Sequence, residues 1–318
     1  MTTTDSSLAT DAAAQRGLIS AKRSKGKREG ALYLWLVPAL LVYGVFKLFP
    51  LVAGVFLSLL RWDGIKDAVF IGLTNFQRML TDEKLGPALL HNVEYAVGTV
   101  TGKILISLLL AILLNQALRG RIAYRTILFM PVVLSFVVVS ILWTWMYNDQ
   151  FGIINSLLRL FHLDSLAVQW LGDTKYALLS LIIVDIWKWY GFHMVIFLAG
   201  LQSIPIDLYE AARVDGASRW NQFVSITIPQ LRPVIVINVT LALLGAFNVF
   251  DIPYIMTQGG PAGATNVLAL HSYSQAFQFG KLGYGAAIGY ALLLLVTVVA
   301  LVQLRVANAD ENGGAGAS

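Results

Sequence analysis

Long runs of apolar residues, separated by short polar segments, make up most of this chain. An apolar helix of about 20 residues is long enough to cross the hydrocarbon core of a bilayer. The pattern predicts six such helices, at about 32–59, 93–116, 122–147, 176–201, 233–256 and 284–305. Pro38 and Pro50 interrupt the first run, and Pro131 lies within the third. The chain is therefore predicted to be an all-α integral membrane protein with six transmembrane helices.

The ends of the chain differ from the apolar region between them. Residues 1–30 have no apolar run and finish in a basic cluster that suits contact with anionic lipid, made of Lys22, Arg23, Lys25, Lys27 and Arg28. We predict that residues 1–30 are a disordered cytoplasmic tail, that 31–306 form one transmembrane domain and that 307–318 are a disordered C-terminal tail. The run Leu157–Leu163 is too short to span and predicts a surface helix in an outer loop.

Lysine and arginine are enriched in cytoplasmic loops, so their distribution predicts the orientation of the spans. With both termini inside, the inner segments hold Arg16, Lys22, Arg23, Lys25, Lys27, Arg28, Arg119, Arg121, Arg125, Arg213, Arg219, Arg232 and Arg305. The outer segments then hold Arg61, Lys66, Arg78, Lys84, Arg159, Lys175 and Lys281. This bias predicts an N-in, C-in topology and places the polar segment 205–229 in the cytoplasm.

Composition narrows the function classes further. The chain is 57% hydrophobic and 13% charged, whereas a soluble domain averages about 25% charged residues. Its net charge of +5 reflects the basic inner segments, so we predict no nucleic-acid partner. Cysteine is absent and the four histidines show no metal-ligand spacing, which predicts no catalytic thiolate and no metal site. A phosphate-binding loop of the G-x-x-x-x-G-K-[ST] type is absent from the sequence, so we predict no nucleotide cofactor on this chain.

The segment 205–229 is polar although it lies between two predicted spans, and its residues favour two short helices. Pro205 suits a first helical position because no backbone N–H is needed there, and Asp207 places negative charge near the positive end of that helix. Gly216 can adopt the left-handed conformation that ends a helix, and Ser218 can cap the next one. A compact helical projection of this kind is suited to docking a soluble partner.

One spaced motif in this segment resembles that of a known family. Glu210-Ala211-Ala212, three residues, Gly216, nine residues and then Ile226-Thr227-Ile228-Pro229 is similar to the EAA loop of permeases in bacterial ATP-binding-cassette importers. The segments Leu201–Pro205 and Thr257–Pro261 narrow the resemblance to carbohydrate permeases of the type I importer class. The resemblance covers roughly residues 31–306 and implies the type I importer permease fold.

The resemblance also implies a function and a set of partners. The chain would be one transmembrane subunit of a sugar importer in the bacterial plasma (inner) membrane, working with a second permease in a heterodimer, two ATPase subunits and an extracytoplasmic solute-binding protein. ATP and Mg²⁺ would bind to the ATPases, so this chain would not be an enzyme. The residues implied in coupling to the ATPase are Glu210, Ala211, Ala212, Arg213, Asp215, Gly216 and Pro229.

Polar residues inside the predicted spans are candidates for a solute pathway because they are costly in a bilayer. Asp185 and Lys188 are three residues apart in the fourth span, so they share one helix face and can neutralise each other. Asn248 and Asp251 have the same spacing in the fifth span, with Tyr254 nearby. Aromatic rings beside amide and carboxyl groups suit a sugar, although these residues would equally serve to bond neighbouring helices.

Two further features lie outside that group. Gly259-Gly260-Pro261 predicts a tight turn on the outer side of the fifth span. By resemblance this turn faces the solute-binding protein, and the alternative is a turn without a partner. Lys103, inside the second span, is interpreted as a paired or snorkelling residue.

Other functions stay open on the sequence alone. One alternative keeps the importer and changes its cargo to a polyol or a glycerol phosphodiester. An anionic cargo would require an unpaired cation in the pathway, for which Lys188 is the candidate. A stand-alone secondary transporter would use Asp185 or Asp251 as a proton site. A membrane receptor or signalling scaffold has no support beyond residence in the membrane.

Overall fold

The computed structural model describes residues 35–116 and 119–314, with side chains up to residue 306. The predicted tail 1–30 lies outside the described residues. The disorder predicted for residues 307–318 stays a prediction. Helices dominate the described chain, in agreement with the predicted all-α class.

The α-helices follow one another along the chain with few strands between them. They are α1 Val37–Tyr43, α2 Phe49–Ser58, α3 Thr74–Met79, α4 Leu85–Asn115, α5 Arg121–Val133, α6 Phe136–Met146, α7 Ile153–Leu160, α8 Thr174–Ser203, α9 Ile206–Val214, α10 Arg219–Gln222, α11 Ile228–Phe247, α12 Asp251–Met256, α13 Leu268–Tyr273 and α14 Leu282–Gly314. Short π-helical turns at Gly44–Leu48, Phe223–Thr227 and Ser274–Gln278 continue α1, α10 and α13, and a 3₁₀ turn covers Asp164–Leu166. The predicted surface helix is α7, which begins earlier than expected.

Within the described residues, five helical stretches are long and apolar enough to cross a membrane. They are Val37–Ser58, Leu85–Asn115, Thr174–Ser203, Arg219–Met256 and Leu282–Val306. These stretches correspond to the first, second, fourth, fifth and sixth predicted spans. The last helix, α14, extends beyond the end predicted for its span at residue 305.

The third predicted span, 122–147, is broken and not continuous. Helices α5 and α6 are bent by 98° across a short break, so together they form one bent candidate span or a re-entrant pair. Pro131 weakens the last turn of α5 because it has no N–H to donate. The backbone is extended at Leu134 and Ser135, and the Ser135 hydroxyl starts α6 by accepting the N–H of Val138 at 3.3 Å.

The chain divides into two compact units, Met1–Phe56 and Leu57–Ser318. In the described part of the first unit, the side chains are exposed or half-buried. In the second unit α8 is the central helix, because 56% of its most apolar 18-residue segment is buried. The corresponding share is 28% for α4, for the fifth candidate span and for α14. Helices α4, α5 and α11 pack against α8.

A short hairpin closes the segment between α2 and α4. Strands β1 (Leu60–Arg61) and β2 (Val69–Phe70) pair antiparallel, and α3 follows. The buried Asn75 at the start of α3 donates its Nδ2 hydrogens to the carbonyl oxygens of Ser58 and Leu60, at 2.8 Å each. This amide therefore fixes α3 to the chain entering the hairpin.

Candidate functional site

The segment 205–229 folds into the predicted pair of short helices, α9 and α10. Helix α9 begins at Ile206, one residue later than predicted, and Pro205 takes the N-cap position. Helix α10 follows Ser218, whose Oγ accepts the N–H of Asn221 at 3.2 Å. The predicted serine cap is therefore present.

The turn between the two helices is built around Gly216. The N–H of Ala217 donates to the Ala212 carbonyl at 2.8 Å, and the N–H of Gly216 donates to the Arg213 carbonyl at 3.1 Å. This pair of bonds is the Schellman motif that closes a helix C-terminus. Gly216 has a φ of +76°, in the left-handed region that favours glycine, as the sequence predicted.

One side-chain hydrogen bond joins the helix pair to the base of the fifth span, and a second closes the turn within the pair. The hydroxyl oxygens of Tyr209 and Thr227 are 2.9 Å apart, which joins α9 to the π-helical turn before α11. The Gln222 amide donates to the Ala217 carbonyl at 2.9 Å. Pro229 lies in the first turn of α11, where an N–H is not required. These hydrogen bonds hold the exposed helix pair in a defined position next to the fifth span.

Much of the helix pair's surface is exposed. The Glu210 carboxylate lies 3.7 Å from the Arg213 guanidinium, and these side chains are 63% and 59% exposed, so the pair contributes little to stability. Val214 is 88% exposed and Trp220 is 70% exposed. Apolar side chains exposed beside charged ones are typical of a surface that contacts a partner protein. The structure brings the predicted coupling residues 210–213, Asp215 and Gly216 together on this surface and leaves Pro229 at its base.

A cavity of about 420 Å³ lies between helices α4, α6, α8, α11 and α12, which contribute to the candidate spans. Its volume is within the range of small-molecule sites, about 300–1,000 Å³. Its polar lining comes from Lys103, Asp185, His193, Asn248 and Asp251, and its aromatic lining from Phe136, Trp189, Phe192 and Phe250. The structure therefore brings together three of the predicted pathway residues, Asp185, Asn248 and Asp251. Lys188 and Tyr254 are not part of this lining.

Asp185 does not pair with Lys188, and that part of the prediction was wrong. The Lys103 ammonium on α4 donates to the Asp185 carboxylate on α8 at 2.6 Å, and the two side chains are only 3% and 6% exposed. Because α4 packs along α8, a cation on the facing helix reaches the carboxylate more directly than one on its own helix. The interpretation of Lys103 as a paired residue is confirmed.

Lys188 instead binds the break between α5 and α6. Its Nζ donates to the Leu134 carbonyl at 2.6 Å and lies 3.4 Å from the Val132 carbonyl, with the Phe136 ring centre 4.7 Å away. The last carbonyls of a helix lack intrahelical donors and carry partial negative charge, so an ammonium group stabilises them. Lys188 therefore supports the bend in the third span.

Sequence reasoning missed several residues of the cavity wall. His193, which the sequence analysis did not assign to the pathway, is buried with its Nδ1 2.8 Å from the Asn238 side-chain oxygen. The Trp189 and Phe136 rings lie 6.1 Å apart and come from different helices. The signal available in the sequence was the density of aromatic residues at 187–192, but their positions relative to α6 depend on the bend.

Asn248 and Asp251 lie at the break that separates α11 from α12. Both side chains are exposed in the single chain. The Asn248 amide donates to the Leu244 carbonyl at 2.8 Å. Among the described residues Asp251 has no ion-pair partner, so the cavity has one carboxyl group that is not matched by a cation.

Tyr254 belongs to an aromatic row that starts at the cavity. Its ring stacks on Phe250 with a centroid distance of 5.0 Å and an interplanar angle of 15°. Tyr273 contacts both rings at 5.2 Å, and Phe277 follows Tyr273 at 5.1 Å. Since Phe250 lines the cavity, Tyr254 acts behind the wall as its support.

The Gly259-Gly260-Pro261 segment forms the predicted turn after α12. The Thr265 hydroxyl donates to the Gly260 carbonyl at 2.7 Å, and its oxygen is also 2.7 Å from the Thr257 hydroxyl. Gly259 and Gly260 line a second cavity of about 650 Å³, whereas Pro261 is not part of that lining.

A polar cluster near this turn joins three elements. The Asp82 carboxylate accepts hydrogen bonds from the Tyr284 hydroxyl at 2.6 Å and from His271 Nε2 at 2.9 Å. Burial acts to raise the pKa of Asp82, but these bonds and one from the Lys84 backbone N–H outweigh it and lower the pKa to about 2. The ionised carboxylate therefore links the loop before α4 to α13 and α14.

The chain is similar in sequence to known transport proteins. Residues 103–309 match the family model described as the binding-protein-dependent transport system inner membrane component. The chain is 39% identical over 276 residues to the probable ABC transporter permease protein YurN of Bacillus subtilis (strain 168), which covers 86% of this chain and 94% of that protein. It is 36% identical over 281 residues to the trehalose/maltose transport system permease protein MalF of Thermococcus litoralis, covering 88% and 94%.

A solved structure is similar over most of its length. It is the crystal structure of a bacterial ABC transporter involved in the import of the acidic polysaccharide alginate. One of its chains aligns with a TM-score of 0.77 and 25% sequence identity, covering 89% of this chain and 96% of that one.

Proposed function

Because the chain belongs to the family of binding-protein-dependent transport system inner membrane components, we propose that it is one transmembrane subunit of an ATP-driven carbohydrate importer. Its relatives are ABC transporter permeases, so the chain is a multi-pass membrane protein and a transport component without an enzymatic role. It forms half of a translocation pathway in the bacterial plasma (inner) membrane, and a second permease forms the other half.

One observation carries the coupling part of the proposal, namely the exposed helix pair α9–α10. A link between two spans needs neither a Schellman closure nor a Tyr209–Thr227 bond to its base. Such bracing lets a force applied to α9 reach α11 without being absorbed by a flexible loop. Docking of this surface on a separate ATPase would couple nucleotide hydrolysis to movement of the fifth span, with ATP and Mg²⁺ bound by the ATPase.

The proposed topology has six spans with both termini in the cytoplasm. Helices α5 and α6 count as one bent span, and the excess of basic residues in the alternate segments sets the direction. This orientation places the helix pair α9–α10 inside, where the ATPases are, and the Gly259–Pro261 turn outside, where it would face a solute-binding protein.

The charges of the 420 Å³ cavity favour a neutral cargo. Lys103 is neutralised by Asp185, and Lys188 is bonded to carbonyl oxygens away from the lining. Within the described lining, an anion would thus meet the Asp251 carboxylate and no unpaired cation. Aromatic rings beside carboxyl, amide and imidazole groups suit a sugar, which offers C–H faces and hydroxyl groups. This argument supports a sugar or polyol over a glycerol phosphodiester.

A stand-alone proton-coupled transporter is a weaker candidate. Asp185 is committed to the Lys103 ion pair, which leaves Asp251 as the exposed carboxyl in the cavity. Such a transporter also has no use for a docking surface like α9–α10. The complete set of proposed partners is a second permease in a heterodimer, two ATPases and the solute-binding protein.

The test is affinity purification of the tagged chain from native membranes in mild detergent, followed by mass spectrometry and by reconstitution of the recovered complex. We expect an ATPase subunit and a second permease to co-purify, and ATP-dependent uptake of neutral sugars in proteoliposomes. Recovery of the intact chain alone, with uptake driven by a proton gradient, would instead establish the secondary transporter.

A further inference from the structure

A third cavity, of about 590 Å³, is lined by the β1–β2 hairpin, by α3 and by the start of α14, and is called the hairpin cavity here. Its wall depends on a close approach of two backbones, because a Cβ added at Gly283, in the first turn of α14, would overlap the Leu60 carbonyl oxygen of β1. Glycine at this position lets the helix pack directly on the strand. Asn75 fixes α3 to the same strand through its bond to the Leu60 carbonyl. The parts of the chain that enclose the cavity therefore hold one another in place.

The lining of the hairpin cavity carries more positive than negative charge. It has four basic and two acidic side chains, which leaves a net charge of +2 at neutral pH, from Arg61, Lys66, Arg78, Lys281, Asp63 and Asp67. In the described part of the chain, none of the four basic side chains forms a salt bridge with a carboxylate. Cations that lie close together without counterions repel one another, so the cavity favours an anion.

Most of the negative charge near the cavity is already bonded. The Asp63 carboxylate accepts the backbone N–H groups of Lys66 at 2.8 Å and Ile65 at 3.0 Å, and these bonds lower the pKa of Asp63 below its usual value. Asp82 is bonded to Tyr284 and His271 and does not belong to the lining. An incoming anion is therefore opposed mainly by the exposed Asp67 and is attracted by four cations.

The two arginines of the lining have the chemistry that suits a phosphate group. The Arg78 guanidinium carbon lies 4.8 Å from the centre of the Tyr284 ring, and this contact positions the side chain. Arg61 ends β1 and is exposed. A planar guanidinium group offers paired N–H donors that match two phosphate oxygens, and a lysine ammonium group adds a point charge. The volume of the cavity is within the range of small-ligand sites, which suits a single headgroup.

The hairpin cavity lies at the ends of two candidate spans. Arg61 comes three residues after the span Val37–Ser58, and Lys281 directly precedes the span Leu282–Val306. Trp62, which also lines the cavity, belongs to the residue types that are enriched where a bilayer meets water. These positions place the cavity at the level of the lipid headgroups.

Apolar side chains next to the charged lining along the chain are exposed. Ile65 is 92% exposed, Phe70 is 65% exposed and Leu73 is 64% exposed. A soluble anion has no use for an apolar surface, whereas a phospholipid carries acyl chains beside its phosphate group. We propose that the hairpin cavity binds the phosphate group of an anionic phospholipid such as phosphatidylglycerol, with Arg61 and Arg78 as donors to its oxygens. In the proposed topology this lipid belongs to the outer leaflet, and its binding does not depend on the cargo.

The absence of cysteine from the sequence allows a single introduced thiol to report on this cavity. Val69→Cys places the thiol in the lining, and Gln77→Cys places a control thiol on the exposed surface of α3. The full-length chain is purified in detergent with the complex that accompanies it and is washed free of native lipid. The rate of maleimide labelling is then measured at increasing mole fractions of dioleoyl phosphatidylglycerol or of zwitterionic dioleoyl phosphatidylcholine. Inorganic phosphate and glycerophosphoglycerol are the water-soluble comparisons.

At about ten times the half-protecting mole fraction, phosphatidylglycerol should slow labelling of Val69→Cys about tenfold, by simple occupancy, and should leave Gln77→Cys unchanged. Phosphatidylcholine and the two soluble phosphates should not slow it. Adding Arg61→Gln and Arg78→Gln together should raise the half-protecting mole fraction at least about tenfold, the loss expected for charge-assisted hydrogen bonds.

Two further variants separate phosphate binding from charge and from folding. Arg159→Gln with Lys175→Gln removes two positive charges from exposed positions elsewhere and should not change protection. Arg61→Lys with Arg78→Lys keeps both charges but loses the paired donors, so its half-protecting mole fraction should lie between those of the wild type and the glutamine variant. This variant decides the question if the glutamine variant proves unstable when its unfolding temperature is measured.

Four results would overturn the lipid site, and none of them bears on the proposed importer function. Equal protection by phosphatidylglycerol and phosphatidylcholine would mean that any lipid covers the hairpin. Equal protection by inorganic phosphate would mean a site for soluble anions. Protection by added solute-binding protein, and by no lipid, would mean a protein contact. A loss of protection in the Arg159→Gln, Lys175→Gln variant as large as that in the Arg61→Gln, Arg78→Gln variant would mean that only the overall charge matters.

Discussion

Asp185 on α8 and Lys103 on α4 form an ion pair of 2.6 Å between side chains that are 6% and 3% exposed. Both residues also line the 420 Å³ cavity. Removing two charges from water is costly, and their attraction offsets that cost only while both partners are present. The pair therefore joins two closely packed helices and leaves that part of the cavity wall polar but close to neutral.

Loss of either partner should destabilise the protein strongly. We expect Asp185→Asn or Lys103→Met to lower the free energy of unfolding by about 3–5 kcal/mol, because the remaining charge is buried without compensation. The double variant should recover much of the loss. Thermal unfolding in detergent measures the effect, with the exposed Glu210→Gln as the matched control, expected to change stability by less than about 1 kcal/mol. A double variant as unstable as the two single losses combined would show that the residues are not coupled.

Lys188 should be required for the shape of the third span. Lys188→Met removes the ammonium group from the Leu134 and Val132 carbonyls, and bonds from a charged donor contribute about 1.5–3 kcal/mol. We expect faster hydrogen exchange at residues 132–138 and a lower unfolding temperature. Lys175→Met, at an exposed lysine of the same helix, is the control. Unchanged exchange at the bend in Lys188→Met would contradict the bracing role.

The sequence correctly predicted the features that depend on residues close together along the chain. Apolar length predicts the spans, and the turn chemistry of Gly216 and Ser218 depends on bonds within six residues, which are present in the structure. Residue type also indicated Asp185, Asn248 and Asp251 as candidates for one polar site, and all three line the 420 Å³ cavity.

The sequence did not predict the features that depend on contacts between two helices. Spacing on one helix favoured an Asp185–Lys188 pair, but the partner lies on α4, and helix packing is not encoded in i,i+3 spacing. The 98° bend was not foreseen because Pro131 is compatible with either a kink or a full break. That bend is what brings Phe136 into the cavity wall and gives Lys188 its carbonyl partners.

The left-handed turn at Gly216 should be necessary for coupling to the ATPase. A Cβ placed there meets no atom within 4 Å, so substitution acts only through the φ of +76°. Gly216→Val should strain the turn by about 1–2 kcal/mol and reduce stimulation of the ATPase in the reconstituted complex. Gly216→Asn is the control, because asparagine tolerates this conformation better. Equal stimulation by the valine and wild-type proteins would show that the turn does not transmit force.

The Asp82 cluster should make stability depend on acid pH. The pKa of Asp82 is lowered to about 2 from its usual value of 3.8, so the stability it contributes is fully present above pH 3.8 and is lost as pH falls toward 2. Allowing for solvent screening, we expect a contribution of about 1–2 kcal/mol. Asp82→Asn should therefore be less stable than wild type at pH 6, and the difference should shrink toward pH 2.5.

Thermal unfolding between pH 2.5 and pH 6 in an acid-stable detergent measures this dependence. Asp67→Asn, which changes an exposed carboxyl in the neighbouring hairpin loop, is the control and should follow the wild-type curve. A constant difference between Asp82→Asn and wild type at every pH would mean that Asp82 acts by packing and not through its charge.

Tyr254 should act on transport through Phe250. Its ring stacks on Phe250 at 5.0 Å and its side chain hydrogen-bonds to that of Tyr273, but it does not line the 420 Å³ cavity, so we expect the ring stack to make the larger contribution. Stacked aromatic pairs contribute about 0.5–1.5 kcal/mol beyond their burial, which corresponds to a roughly 2- to 12-fold rise in KM for Tyr254→Leu. Tyr254→Phe, which keeps the ring and loses only the hydrogen bond to Tyr273, should raise KM less than Tyr254→Leu. If Tyr254→Phe instead loses as much as Tyr254→Leu while Tyr273→Phe transports like wild type, the Tyr254 hydroxyl group contacts the cargo, and Tyr254 belongs to the pathway itself as the sequence predicted.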